Sequence, residues 1–545
     1  MRLNLGEIAQ LLALGPEDVL WEGAREGLWG SSVCEAPREP ASLWEIAHAS
    51  ASRNGEEGPE FGLFGPGVPD VGRPSAGAWS HAPWAGLSVT GGQVDSRLVA
   101  PGNLFFCLPG EKADGHDFAR AAIEAGAVGI IASRNPLGED CLSEWPATPI
   151  FLVSDVKRAL WRVAMCHRDT SLARVIGITG TAGKTSVKEV LAQVLEVRGR
   201  TERNPMNFNN QIGLPISMLN ASADASFWVM EAGISEAHDM KELGAILRPD
   251  LALILNVGEG HVQGLGDRGV AAYKAMLLDY IQPGGLAVVS ADYPDLTAET
   301  LARRPAMERK GIEYVSFSAA GWEAQFSARY EGENAVGKGT FEIRQDGTAF
   351  KIEAPFMGHF GAENVAAVAA VALSLGLNAS EAAHGFAMAR LPDQRFNILQ
   401  YPGCVLIDDS YNANPLSATR MIQATRRMAE GRGLKLILVM GEMLELGDRA
   451  AGAHRELGLT MGLAEPEAVF WKGGHAADVE KGLAEAGYAK RLYPVAGGQE
   501  FALLLEETDL TNTLVLFKGS RGNKLERLVD IMKARFEPEG EGDAV

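Results

Sequence analysis

Cysteine is scarce in this chain: five residues in 545, Cys34, Cys107, Cys141, Cys166 and Cys404, with no CxxC pair among them. Such spacing argues against a disulfide framework and against a cysteine-built zinc site, and predicts reduced, semi-buried small residues. Long apolar runs are missing as well. No stretch approaches the roughly 20 residues needed to span a bilayer. The opening MRLNLGEIAQLLALG breaks its short apolar stretch with Asn4 and Glu7, which makes a poor secretion signal, so a cytoplasmic protein is expected. Positive charge is in deficit, 50 Lys and Arg against 70 Asp and Glu, for a formal net charge of -20. Nucleic acid and anionic lipid are therefore repelled at long range, and any phosphorylated ligand must be held locally by glycine nests, Lys, Arg and metal. No convincing nucleophilic triad presents itself either.

What the chain does have is concentrated between Arg174 and Leu191, RVIGITGTAGKTSVKEVL. Val175, Ile176 and Ile178 are β-branched and apolar, as in a short buried strand, while Lys188 and Glu189 among Val187, Val190 and Leu191 suit an amphipathic helix. Gly180, Thr181, Ala182, Gly183, Lys184, Thr185 and Ser186 lie at the junction. A strand turning into a helix through glycines aims backbone N–H groups at one point, where the helix dipole adds partial positive charge, so a phosphate seat is predicted. Gly180 and Gly183 allow close backbone approach, Lys184 can bridge outer phosphates, and the Thr185 hydroxyl can hold Mg²⁺. The spacing departs from the generic pattern, since five residues instead of four separate Gly177 from Gly183. The alternative is an ordinary glycine-bearing turn, against which Gly-Lys-Thr at such a junction is the specific signal.

With 46% hydrophobic and 22% charged residues, the composition is that of a soluble globular protein, long enough for about three or four domains. Leu5 to Leu14 suits a short helix, and the chain from there to about Trp84 is a Gly- and Pro-rich excursion without evident chemistry. An α/β unit begins at Leu87, with strand segments over Ser88 to Leu98, Leu104 to Leu108 and Val128 to Ala132. Its loop 108–116, carrying Glu111, Lys112 and His116, can wrap a small polar ligand, and Asp95, Ser96 and Arg97 offer groups suited to ribose or phosphate. Taken alone, both also read as surface loops. The stretch 204–215, with Asn209 and Asn210, is rich in carboxamides, which either cap turns or read a polar ligand. Glu231 ends a strand over Phe227 to Met230, and His261 follows another over Leu251 to Leu255. Strand carboxyl ends are where open α/β sheets hold ligands, which makes both candidates for a metal shell. Lys274 lies in an apolar helix, the setting of a snorkelling lysine.

Phe317 to Ile352 reads as an antiparallel hairpin, Asn364 as the start of an apolar core helix, and Pro392 to Arg395 as a hinge. Beyond it, DDSYNANP (408–415), GEMLELG (441–447) and KGSRG (518–522) each follow an apolar strand and alternate with helices, which predicts a doubly wound domain. The tail after Arg535 reads as disordered.

Five stretches together resemble the ATP-dependent muramyl ligases of peptidoglycan synthesis: DSR (95–97) with GEKADGH (110–116), TGTAGKTS (179–186), NFNNQIGLP (207–215), DDSYNANP, and GEMLELG with KGSRG. The likeness covers roughly 87–532 and is greatest to the branch that adds D-alanyl-D-alanine to UDP-N-acetylmuramoyl-tripeptide. It implies an α/β chain of three domains: an N-terminal UDP-sugar domain over 1–165 with a long insertion at about 15–85, a central P-loop, parallel-sheet ATPase-like domain over 166–394, and a C-terminal Rossmann-like domain over 395–545. It further implies ATP and Mg²⁺, those two small-molecule substrates, no nucleic-acid partner and a monomer. Carried over by motif, Lys184 holds the ATP phosphates, Thr185, Glu231 and His261 serve metal, and Lys274 takes the place of a lysine that is often carbamylated. Asn364, Arg395, Asp409, Tyr411, Asn412 and Asn414 fall near the nucleotide or a closing interface. Lys518, Ser520 and Arg521 fall near the peptide ends being joined, and Asp95, Ser96, Arg97 and the 110–116 loop near the UDP part. The chain departs from the pattern at Ala182, Gln211, 235–239 and Glu442, and at His359-Phe360-Gly361, one position out of step with the family's His-Asn. A sister muramyl or folylpolyglutamate-type ligase should lack DDSYNANP and KGSRG. A nucleotide-gated binding protein without catalysis is the reading outside enzymes.

Overall fold

A computed structural model describes residues 3–14, 18–20, 82–110, 113–138, 148–258, 269–334 and 337–536. Most of the expected insertion at about 15–85 lies outside these residues, as do Glu111, Lys112, His261 and the tail from 537. Two compact units are present: 1–175 with 202–230 and 242–248, and 176–201 with 231–241 and 249–545.

In the first unit, strands Val19–Leu20, Ile150–Leu152, Gly129–Ala132, Asn103–Phe106 and Gly91–Gln93 lie side by side in that order. All neighbours run parallel except the antiparallel pair at Val19–Leu20. The strand expected over Ser88 to Leu98 is shorter. It breaks into Ser88–Val89 and Gly91–Gln93, and Ser96–Leu98 is a turn of 3-10 helix because the Asp95 carboxylate accepts the Arg97 N–H and caps it. Helix Val156–Thr170 comes next, capped by Asp155.

The second unit holds two sheets. In the first, β1 (Arg174–Thr179), β2 (Leu251–Ile254), β3 (Leu286–Ser290) and β4 (Glu313–Ser318) are parallel, in the order β4-β3-β2-β1. Their residues read as near-continuous apolar runs because both faces are covered. β5 (Phe326–Glu333), β6 (Gly339–Gln345) and β7 (Thr348–Ala354) continue the sheet as an antiparallel meander beyond β4. Phe317, read as hairpin, thus belongs to the parallel part. Helix α1 (Lys184–Leu195) follows β1, and helix α2 (Gly358–Ser374) packs on α1 and β5. Asn364 is a residue within α2 and does not open it. Gly361 in its first turn is needed for packing, since a Cβ there would sit 3.0 Å from that of Phe356.

The other sheet comprises β8 (Asn397–Tyr401), β9 (Cys404–Asp409), β10 (Lys435–Gly441), β11 (Ala468–Lys472), β12 (Leu492–Pro494) and β13 (Thr513–Lys518). Its order is β8-β9-β13-β10-β11-β12, with only β8 antiparallel. Apolar clusters cover both faces, one around Ile422, Leu457 and Trp471, the other around Phe470, Phe501 and Leu528. Helix α3 (Pro415–Arg432) leaves the β9 end through a capping box in which Asn414 and Ser417 bond reciprocally. Among the described residues no helix is long and apolar enough to cross a membrane.

Candidate active site

The phosphate-loop candidate lies where β1 ends and α1 begins. Gly183 adopts φ +81°, and a Cβ on it would meet Asn364 Oδ1 at 2.7 Å, so only glycine fits both the turn and its neighbour. Asn256, two residues past β2, carries no signal of its own in the sequence, yet it builds this loop. Its Oδ1 accepts the N–H groups of Thr181 at 3.0 Å and Ala182 at 2.8 Å, and its Nδ2 donates to the Ala182 carbonyl at 3.0 Å. Two N–H groups expected to cradle a phosphate are therefore engaged within the loop. Helix geometry leaves the N–H groups of Lys184, Thr185 and Ser186, in the first turn of α1, without intrahelical partners, the arrangement suited to an anion.

Side chains of both signs converge on that turn. Lys184 Nζ and Lys274 Nζ each donate to the Gly180 carbonyl at 2.9 Å. The Thr185 hydroxyl donates to Glu231 Oε2 at 2.9 Å, and Arg395 Nη2 reaches the same hydroxyl at 3.4 Å. Lys274 is 3% exposed, so it does not snorkel. Burial first, then the Lys184 charge, pushes its amine well below the usual lysine range, against the pull of Glu231. Burial also lowers Lys184, which Glu231 opposes and Arg395 reinforces.

The second sheet supplies the other wall. Asn414 Nδ2 donates to the Thr181 carbonyl at 3.1 Å. The Tyr411 ring has the Arg395 guanidinium 4.2 Å from its centre and that of Arg521 at 5.6 Å. Arg521 also pairs with Glu526 at 3.1 Å. Lys518 and Ser520, expected near the peptide ends, are turned inward instead. Lys518 is 2% exposed and donates to Asp409 Oδ2 at 2.6 Å and to the Asn412 carbonyl at 3.0 Å. Ser520 donates to the Ala413 carbonyl at 3.2 Å and accepts the Leu444 N–H at 2.9 Å. Both brace 409–414, because a buried ammonium between a carboxylate and a carbonyl has no reason to turn outward.

Within the first unit, Asp95 is paired with Arg97 at 2.6 Å, the Arg97 side chain being exposed, and Ser96 begins the capped turn. His116 is contrary to expectation a buried post. Its Nδ1 lies 2.6 Å from Asp114 Oδ1, and its Nε2 accepts the Ser133 N–H at 3.1 Å, so both ring nitrogens are used inside the fold. The His116 backbone N–H, which donates to Asp114 Oδ1 at 3.0 Å, then Arg134 and the His116 ring hold the Asp114 carboxyl well below the usual range. Asn210 Oδ1 accepts the N–H groups of Ile212 and Gly213, capping helix Gly213–Asn220, while the Asn209 N–H turns back to the Asn207 carbonyl. Of the two uses open to these amides, Asn210 serves turn capping. Among the described residues no cluster of three His, Cys, Asp or Glu side chains is placed to hold a metal.

Three family models match the chain. They are described as Mur ligase family, catalytic domain over 88–159, Mur ligase middle domain over 178–372, and Mur ligase, glutamate ligase domain over 394–521. The UDP-N-acetylmuramoyl-tripeptide–D-alanyl-D-alanine ligase of Bacillus subtilis is 30% identical over 448 residues, 81% of this chain and 92% of that one. The ligase of the same name from Escherichia coli is 31% identical over 441 residues, 80% of this chain and 92% of that one. Among solved structures, a MurF ligase from Thermotoga maritima in complex with ADP superposes with a TM-score of 0.69 at 26% identity, covering 83% of this chain and 99% of the other. With its phosphate loop, Asn256 clamp and matches in all three segments, the chain belongs to the Mur ligase family.

Proposed function

We propose that this protein joins D-alanyl-D-alanine to UDP-N-acetylmuramoyl-tripeptide, with ATP cleaved to ADP and phosphate, and that the reaction takes place in the cytoplasm. The convergence of Lys184, Thr185, Glu231 and Arg395 on the first turn of α1 carries the reading, and the activity named for the relatives supports it. Domains over 1–165, 166–394 and 395–545 would then take the UDP-sugar, take ATP, and close over both.

A carboxylate is a poor electrophile, so amide formation from it is uphill in water. In the proposed reaction an oxygen of the tripeptide's terminal carboxylate attacks the γ-phosphorus, the bond to the β-bridging oxygen breaks, and ADP leaves. The amine of D-alanyl-D-alanine then attacks the acyl carbon, phosphate departs, and the amine loses its proton. Lys184 and the α1 N–H groups face the charge that spreads over the equatorial oxygens during transfer. Arg395 lies on the same side. The hydroxyl of Thr185 and carboxylate of Glu231 are an all-oxygen pair that suits Mg²⁺, which would supply further neutralisation of phosphate charge. Asn414 and Tyr411 lie beside the α1 turn through the Thr181 carbonyl and Arg395, and closing that side would matter because an acyl phosphate exposed to water hydrolyses.

The deciding experiment measures phosphate release from ATP and Mg²⁺ with UDP-N-acetylmuramoyl-tripeptide, with and without D-alanyl-D-alanine. Release that requires the dipeptide, with a UDP-muramoyl-pentapeptide product, is expected. Dipeptide-independent release, or none, removes the reading.

Lys274 carries a finer proposal. A buried amine held below the usual lysine range retains its lone pair, which can add to the carbon of CO₂ with loss of a proton, placing a carboxylate beside Lys184 and Glu231. Lys274→Ala should then lose ligation and regain part of it when a short carboxylate such as acetate is added. Absence of rescue leaves Lys274 as a prop for the Gly180 carbonyl.

A further inference from the structure

Helix α2 bears on two neighbours at once. Asn364 faces Gly183, while Glu363, one residue earlier, enters a buried cluster that the chemistry above does not use. Tyr293 donates its hydroxyl to Glu363 Oε1 at 2.6 Å. Arg420 Nη1 donates to Oε2 at 2.7 Å, and Arg420 Nη2 closes the triangle on the Tyr293 hydroxyl. The same guanidinium lies 4.7 Å from the centre of the Phe360 ring. Phe360 belongs to the stretch 359–361 that departs from the family's His-Asn pattern, and Arg420 thus meets both that stretch and Glu363 from another element. Glu363 is 4% exposed, and burial pushes its carboxyl up while Arg420 opposes. A carboxylate in that position is tolerable only with its charge partner and hydrogen bonds in place.

Arg420 belongs to α3, the helix whose cap, Asn414, holds the Thr181 carbonyl. Six residues separate the two, about 9 Å along the axis. α3 is thus fixed at its cap to the phosphate loop and further along to α2 and to Tyr293, the residue that precedes helix Pro294–Arg309. We propose that Tyr293, Glu363 and Arg420 form a positioning lock that seats α3, and through Asn414 the Thr181 peptide, in the arrangement that binds ATP. None of the three is a catalytic residue. The proposal rests on the reading of the α1 turn as the ATP seat.

The test compares Arg420→Ala and Arg420→Lys. In nucleotide-free protein, Arg420→Ala is expected to speed amide hydrogen exchange at 181–183 and 412–418 by about tenfold, with β2 and β3 unchanged. With substrates, KM for ATP rises about tenfold while kcat falls less, and Arg420→Lys, which keeps a cation beside Glu363, recovers part of both. If Arg420→Ala folds poorly, Glu363→Gln, which preserves shape and the bond from Tyr293, reports the same pattern at smaller amplitude. Unchanged exchange at the two segments, acceleration spread over the whole unit, or equal losses in Arg420→Lys and Arg420→Ala would overturn the proposal. Because exchange is read without nucleotide, a parent protein that failed to bind ATP would remove the functional reading and leave the lock to be judged on exchange.

Discussion

Replacing Lys184 by alanine is expected to lower ligation by roughly 10³-fold or more, the scale set by removing a charged donor from a developing oxyanion. The protein should nonetheless stay folded, with its Tm moved by about 2 °C or less. The two halves of this expectation have separate origins. Lys184, the ammonium on the phosphate-loop turn, donates to the Gly180 carbonyl, and Lys274 Nζ donates to that same oxygen. Truncation therefore leaves that carbonyl still bonded and also relieves the like charge that lowers Lys274. Steady-state kinetics with a melting curve on the same preparation checks both halves. Ligation within tenfold of the parent would sink the role given to Lys184.

Lys518→Ala should have the opposite signature, a large loss of stability. Asp409 would be left buried without its counter-charge, and breaking such a pair costs about 3–5 kcal/mol, enough to lower Tm by about 10 °C in a domain of this size. The loop 409–414 loses its brace at the Asn412 carbonyl as well, so ligation falls with stability. Lys518→Met combined with Asp409→Asn removes both charges and should recover much of the melting temperature. A single variant that melts like the parent would show that the pair contributes little.

The two lysines also mark how far the sequence can be read. Lys184 is legible because a strand, glycines and a Gly-Lys-Thr helix start leave few other uses for a cation. Lys518 carries no such context: KGSRG at a strand end has the same appearance whether the amine faces a ligand or an internal carboxylate, and Asp409 lies 109 residues away. Asn256 escapes notice for the same reason, since a carboxamide after an apolar strand is ordinary until the loop it clamps, 75 residues distant, is seen to be adjacent in space. His116 misleads because GEKADGH advertises a polar loop, whereas Asp114 and Ser133 consume the ring. Among elements, the parallel strands with unbroken apolar runs are legible. Helix α2 starts at Gly358, ahead of the expected Asn364: glycine is a poor helix former, yet Gly358 takes φ +67° at the helix start and Gly361 gives close approach to Phe356.

The position of β13 has a consequence for how this protein is made. It is the last strand among the described residues, yet it lies between β9 and β10. Cys404 and Thr513, neighbours across the β9 and β13 pair, are 109 residues apart in sequence. On the ribosome, β9 and β10 emerge with a gap between them that nothing yet made can fill, and each offers an unpaired edge to the other or to a stranger. Such non-local pairing is slow to close. The wedge that closes it also brings Lys518, which holds the loop carrying Asn414 against the phosphate loop. A nascent chain stopped anywhere before β13 therefore has no assembled wall on that side of the proposed ATP seat, and on that proposal the competence to activate a carboxylate arrives only once the strand ending at Lys518 has been made.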